Sequence, residues 1–320
     1  MDSLIKIYSW LIIQFGVIIH STASYADWEK FLRIAQESER LGYDSIWISD
    51  HLISPKDRSF GLEAWTILSA LASATKKIHL GTYVLCNQFR HPSLLAKMVS
   101  TIDHISKGRI NLGIGAGWYK AEHISYGFIW DNLSNRINRL KESILLMKKL
   151  WTEDNVSFNG EYYKTLNANL EPKPVQKPHP PIWIGGKSQA IKQLVAEEAD
   201  GWIPVLPSPD DFSRDLQELK RTMGKIGRNI NNLDIAYGGA AYTLITDDNT
   251  LAKRELEAIS KYRNTPVEEL NHMIGNSSFI KEIIQQYKKV GVNHIITGFL
   301  DFPSLTSLNK FAELIIPSFK

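Results

Sequence analysis

The chain has 320 residues, 43% of them hydrophobic, enough for one large α/β domain with a substantial buried core, or for two ordinary domains. Its 37 basic and 34 acidic residues nearly cancel to a formal charge of +3 without any dense basic block, so small molecules rather than nucleic acid are the expected partners. The lone Cys86 excludes an intrachain disulfide and a cysteine-built metal site, which fits a reducing, cytoplasmic setting.

At the amino terminus, Trp10 to Ile19 is apolar and the following STASYA resembles a signal-peptidase site. The stretch is too short and too interrupted to span a bilayer, so no membrane association is expected. The first residues carry Asp2 and only one lysine, Lys6, and Ile7 to Phe15 is read instead as the first buried strand.

From there, buried-strand runs alternate with amphipathic helical segments, the pattern of parallel βαβ units. The remaining strands are predicted at Ser45 to Ser49, Ile78 to Leu85, Ile110 to Ile114, Ile182 to Ile184, Gly201 to Pro204, Leu233 to Ala236 and His294 to Thr297. Helices are predicted at Trp28 to Leu41, Leu62 to Ala74, Ser93 to Ile105, Leu133 to Leu150, Gln189 to Ala199, Asp211 to Ile226, Thr250 to Tyr262, Phe279 to Val290 and Ser304 to Ile315. The first of these puts Phe31, Ile34, Ala35, Ser38 and Leu41 on one face, with Gly42 as its stop. Eight units predict a (β/α)8 TIM barrel, one domain over residues 1–320, with Asp234 to Pro266 the least regular unit.

Two segments interrupt the period. Asn155 to Leu166 alternates around Asn159-Gly160, a favoured two-residue turn, and predicts an exposed hairpin inserted before the fifth strand, placed to cover the site. The proline-rich EPKPVQKPHPPIW after it cannot be helical and predicts an extended arm into that strand.

Barrel chemistry sits at the carboxyl ends of the strands, and four sequence features fall there. Ser106 to Trp118, SKGRINLGIGAGW, ends a strand on Gly113, Gly115 and Gly117; without Cβ atoms these let a flat ligand approach the backbone. Asp50-His51 follows the strand SIWIS, where an imidazole can exchange a proton near neutrality and an adjacent carboxylate can hold its tautomer. The alternative is that Asp50 caps a turn and His51 is a satisfied rim residue.

At the third strand's end, Cys86 and Asn87 face the mouth and can hydrogen-bond a ligand, while Arg90 ties the loop to a helix or a carboxylate. Spacing identifies no base that would make Cys86 a nucleophile. Gly185-Gly186-Lys187-Ser188 joins a strand to a helix amino terminus, where backbone N–H groups hold phosphates, although such turns also use glycine for shape alone. The nine histidines show no metal-ligand spacing, so no metal is expected.

Five ordered motifs resemble the luciferase-like superfamily of flavin- and deazaflavin-dependent barrel enzymes: LGYDSIWISDH, LGTYVLCNQFRHPSLLAK, IDHISKGRINLGIGAGW, PHPPIWIGG and ADGWIPV. The resemblance runs from about Tyr25 to Phe299. It implies a barrel oxidoreductase using coenzyme F420 or FMN, and often a homodimer.

The resemblance further implies that Asp50 and His51 lie at the cofactor ring, with His51 near the reacting carbon. A bulge with a non-proline cis peptide falls near Tyr83-Val84 and presses on the ring, with Cys86 at its edge and Ala116 and Gly117 touching it through their backbone. By the same resemblance, Gly185, Gly186, Ser188 and Gln189 would hold the phosphate of the cofactor tail.

The chain departs from the related alcohol and sugar-phosphate dehydrogenases at two positions. Where they carry a glutamate after the last glycine of the fourth strand it has Trp118, and where they carry a tryptophan four residues past the histidine it has Pro55. Glu122 is the candidate replacement acid, or else a solvated helix residue. The expected reaction is hydride transfer between F420 and a small organic substrate; the alternatives are an FMN-dependent monooxygenase using reduced flavin and O2, and a flavin-binding barrel without turnover.

Overall fold

The computed structural model describes residues 12–23, 26–56, 61–204, 208–238 and 243–320. Strand β1 (Gln14–Ile19) begins near the end of the predicted one. Ile7 to Leu11 of the predicted strand lies outside the described residues, and the barrel instead uses QFGVII, buried at every position after Gln14. A strand covered on both faces is selected for a continuous apolar run, which this segment supplies.

β2 (Ser45–Ile48), β3 (His79–Thr82) and the short β4 (Leu85–Cys86) follow, then β5 (Ile110–Gly115). β6 (Val156–Asn159) and β7 (Lys164–Ala168) form a side hairpin before β8 (Ile182–Gly185), β9 (Gly201–Ile203) and β10 (Asp234–Gly238). β11 (Thr243–Ile245), β12 (Met273–Gly275) and β13 (His294–Thr297) complete the strands. β1, β2, β3, β5, β8, β9, β10 and β13 pair in that order, all parallel, and β13 closes back on β1. The fold is a closed eight-stranded TIM barrel.

The helices between strands are α1 (Trp28–Arg40), α2 (Ala64–Ala74), α3 (Pro92–Ser106), α4 (Lys120–Tyr126) and α5 (Leu133–Thr152). They continue with α6 (Gln189–Glu198), α7 (Pro209–Lys225), α8 (Asn249–Arg263), α9 (Ser277–Lys289) and α10 (Thr306–Leu314). α1 starts on Asp27, whose carboxylate accepts from the Lys30 N–H, and buries Phe31, Ile34, Ala35 and Ser38. Each large apolar side chain buried this way contributes about 1.5–3 kcal/mol. The unit after β10 is more elaborate than one strand and one helix: β11 and β12 form a separate parallel pair flanking α8, so the chain leaves the barrel before β13 closes it. None of the described helices is long and apolar enough to cross a membrane.

Inside the barrel, Trp47 and Trp183 meet edge to face at 5.2 Å and fill the interior with Ile18, Ile203, Ala236 and Ile296. Two tryptophans fit there because their neighbours have no side chain: a Cβ on Gly81 would lie 2.5 Å from the Trp47 ring and one on Gly201 2.1 Å from Trp183. The mouth is therefore sealed from below, and the space for chemistry lies above Tyr83 and Val84, which cap this cluster.

The hairpin forms as predicted, but its turn does not. Asn159 pairs with Lys164, leaving a four-residue loop, because Glu142 of α5 accepts the N–H groups of Glu161, Tyr162 and Tyr163 and draws the chain out. The tip packs its Tyr163 ring against His91, the N-cap of α3, at 5.3 Å.

Candidate active site

Strand register explains how the third unit enters the mouth. Leu80 pairs with Ile110, but Leu85 pairs with Ile114, so β3–β4 carries one residue more than β5 between those points. The surplus is a bulge at Tyr83 and Val84, whose connecting peptide is cis. Bulges re-aim side chains, and here both residues turn inward.

The bulge corrects the reading of the glycine strand. A Cβ on Gly113 would lie 1.9 Å from the Thr82 carbonyl oxygen, on Gly115 2.9 Å from Val84 Cγ2, and on Gly185 2.7 Å from the same methyl. The glycines make room for the protein's own bulge, with Val84 lying over Gly115 and Gly185. Gly117, in the left-handed region at φ +73, is hemmed in by Cys86 Sγ and Gln88 Oε1. The carbonyls of Ala116 and Gly117 both accept from the Arg136 guanidinium, and Ala116 also accepts from Gln88 Nε2 at 2.9 Å. Any ligand contact there falls to the rest of that backbone.

Asp50 and His51 have separate partners. Asp50 accepts both Arg90 Nη atoms, at 2.8 and 2.9 Å, and the Cys86 N–H at 2.9 Å. Arg90 also reaches Glu63, so the tie expected of Arg90 goes to carboxylates on both sides. Burial works against the charged guanidinium, but Asp50 and Glu63 outweigh it and raise its pKa above the ordinary arginine value. With its oxygens engaged, Asp50 does not hold the tautomer of His51.

Glu122 does. Its Oε2 lies 3.1 Å from His51 Nδ1, while Oε1 accepts the N–H groups of Leu52 and Ile53. The residue is only 1% exposed, which excludes the solvated-helix alternative. Burial alone would raise its pKa; the His51 hydrogen bond and charge and the two N–H donors outweigh it, leaving the carboxyl below the usual range. α4, absent from the predicted elements, positions this residue, opening three residues past Gly117.

Cys86 is buried, its Sγ 3.2 Å from Gln88 Oε1 and 3.3 Å from His123 Nε2. A histidine thus stands beside the thiol after all, anchored by Nδ1 against the Tyr119 carbonyl at 3.0 Å. Burial nevertheless pushes the thiol up to about 12, so it is no nucleophile near neutrality. Tyr83 is likewise raised above its ordinary value by burial. Trp118 stands 66% exposed with its ring edge-on to His51 at 5.5 Å.

On the far side of the mouth, Gly186 has φ +119, a conformation that requires glycine. Its N–H donates to the Ile203 carbonyl at 3.0 Å and its carbonyl accepts from Trp202 Nε1 at 2.8 Å. That N–H is therefore already engaged within the barrel, and the Gly186 part of the phosphate reading is not met. Ser188 caps α6, accepting from the Ile191 N–H at 3.3 Å, with Lys187 exposed beside it and Gln189 as the first helical residue.

Sequence reasoning missed His123, Gln88, Glu63 and His20. The last follows β1 on the same alternation as Gly16 and Ile18; burial, then His51, lowers its pKa to about 4. Position one residue beyond each strand was the available signal for His20, and adjacency to Glu122 for His123.

The matches to known proteins agree with this architecture. A family model, luciferase-like monooxygenase, matches residues 6–294. The F420-dependent glucose-6-phosphate dehydrogenase of Amycolatopsis mediterranei is 26% identical over 89% of this chain and 93% of its own. The FMNH(2)-dependent dimethylsulfone monooxygenase of Pseudomonas putida is 27% identical over 99% and 96%. Among solved structures, an F420-dependent secondary alcohol dehydrogenase superposes with a TM-score of 0.84 at 21% identity, covering 97% of this chain and 99% of that one. With its bulged third strand and glycine-ended fourth, the chain belongs to the luciferase-like monooxygenase family of oxidoreductases.

Proposed function

We propose that the protein passes a hydride between coenzyme F420 and a small organic substrate, with His51 carrying the accompanying proton. The observation that carries this reading is the His51–Glu122 pair. A carboxylate accepting Nδ1–H fixes the neutral tautomer and leaves Nε2 as the proton-exchanging atom. Hydride exchange at an alcohol or carbonyl carbon moves one proton at the oxygen, and the pair handles one proton: Nε2 takes it from a hydroxyl, or returns it to a carbonyl oxygen, while the Glu122 charge stabilises the imidazolium.

Two features suit a tricyclic cofactor with a phosphate tail. Val84, raised on Gly113, Gly115 and Gly185, offers an apolar shelf at the mouth, and the first turn of α6 with Lys187 offers N–H donors and a cation to an anion. Tyr83, Val84, Cys86, Ala116 and Gly117 would face the ring, and Ser188 and Gln189 the phosphate. When bound, F420 accepts or returns a hydride. His51, Glu122 and the Arg90–Asp50 tie hold the proton-handling group at the mouth, where orientation is worth several kcal/mol.

A second reading, an FMN-dependent monooxygenase, is favoured by the dimethylsulfone monooxygenase relative that matches almost the whole chain. Fluorescence titration of the purified protein with F420 and with FMN separates them: micromolar binding of F420 with weaker FMN binding supports the first, the reverse order supports the second, and binding of neither overturns both. A binder without turnover would keep its ligand in a His51→Ala variant and have no activity to lose. We expect a homodimer, which a scattering mass of one chain would contradict.

A further inference from the structure

Among the described residues beside the proton-handling pair, Trp118 is the large side chain left most open, at 66% exposure. Its ring meets His51 edge-on at 5.5 Å and lies tilted by 33° on Tyr119 at 5.5 Å, and Tyr119 itself approaches His51 at 6.3 Å. The three rings make one wall. An indole two-thirds exposed forfeits most of the stabilisation its burial would give, and the contiguous ring surface it forms with Tyr119 beside His51 suits an apolar ligand body. The neighbouring Glu122 and His123 are buried, while Trp118 faces solvent.

Charge narrows the ligand. Among the described residues, Asp50, Glu63 and Glu122 gather three carboxylates at this side of the mouth beside the guanidinium of Arg90, which Asp50 and Glu63 already share. Arg136 is held by the Ala116 and Gly117 carbonyls and stacks on Trp130 at 3.8 Å. An anionic substrate would meet carboxylates without a free guanidinium among these groups.

We infer that Trp118 is a specificity-determining residue and that the substrate is a neutral alcohol or carbonyl compound whose apolar body lies along Trp118 and Tyr119 while its oxygen reaches His51. This rests on the hydride-transfer reading for the oxygen and on the wall itself for the body. A phosphorylated sugar, the substrate named for the Amycolatopsis relative, does not fit it.

The test is calorimetric binding of a 2-alkanone series, 2-butanone to 2-decanone, and of glucose 6-phosphate, to the protein with and without F420 or FMN. Affinity should rise about twofold to fourfold per methylene until the chain outruns the wall, with a negative heat-capacity change. Trp118→Ala should weaken the longer ketones about tenfold, and Trp118→Phe should restore most of that. Chain-length independence, tighter binding of glucose 6-phosphate, or equal behaviour of the Ala and Phe variants would overturn the inference. If neither cofactor binds but the chain-length dependence persists, the reaction reading fails and the wall stands; if a cofactor binds and the dependence is absent, the reverse holds.

Discussion

One carboxylate, Glu122, grips both the His51 imidazole, at 3.1 Å from Nδ1, and the backbone of the loop that carries it, through the N–H groups of Leu52 and Ile53. Orientation and charge therefore come from the same group. Glu122→Gln keeps a hydrogen-bonding side chain but loses the charge that stabilises the imidazolium. Turnover should fall about 10²-fold, as for loss of a general acid–base partner, with the substrate KM changed less than kcat. An unchanged pH–rate profile in this variant would show that Glu122 only holds the loop.

The pH dependence of stability has a definite sign at Glu122. Its pKa is lower in the folded protein than in the open chain, so its contribution is full above the ordinary carboxylate range and drains as the pH falls through the lowered value. Denaturant midpoints taken down that range should fall less steeply in Glu122→Gln than in the parent.

His294 acts higher on the pH scale. It is buried at the amino end of β13, 5.0 Å from the Trp183 ring, and its Nδ1 has no partner among the described residues. Burial lowers its pKa from 6.5 to about 4. The fold therefore disfavours the charged imidazole, and stability falls by on the order of 3 kcal/mol as the pH drops from about 6.5 toward 4 and the open chain takes up the proton first. Replacement by phenylalanine should flatten the stability curve in that window; a curve unchanged in shape would contradict the assignment.

Removing Arg90 leaves Asp50 buried without its countercharge. Arg90→Met should cost about 3–5 kcal/mol in chemical denaturation, and Asp50→Asn in the same chain should recover part of it. Additive losses would mean that the two residues are not coupled.

The glycines of β5 and the neighbouring turns separate two reasons for having no side chain. Gly127, at φ +74 with open space around it, should cost about 1–2 kcal/mol as alanine, from backbone conformation alone. Gly113→Ala collides with the Thr82 carbonyl and should cost clearly more. Gly115→Ala collides with a Val84 methyl, so Val84→Ala should relieve it. A double-mutant cycle on Gly115 and Val84 measures that coupling directly.

The barrel was legible because period and length are local properties: seven predicted strands coincide with observed ones to within a few residues, and Trp28 to Leu41 buries the face its spacing marks. β1 was displaced because Ile7 to Ile19 is largely apolar, and such a run does not say where the ladder starts. The site was legible as a neighbourhood but not as a set of pairs. Asp50 is adjacent to His51 in the chain, yet its partner is Arg90, 40 residues on, and His51 finds Glu122 at 71 residues. Val84 on Gly115 and Gly185 depends on a one-residue register slip that no local pattern records.

In the proposed reaction one proton, handled by His51 and Glu122, accompanies a hydride transfer that needs no oxygen. Anaerobic single turnover with F420 and 2-octanol or 2-octanone, followed by the change in the deazaflavin absorbance, tests it most directly. Turnover is expected without oxygen, slowed about 10²-fold or more in His51→Ala and Glu122→Gln. Turnover seen only with FMN and only when oxygen is admitted would contradict it.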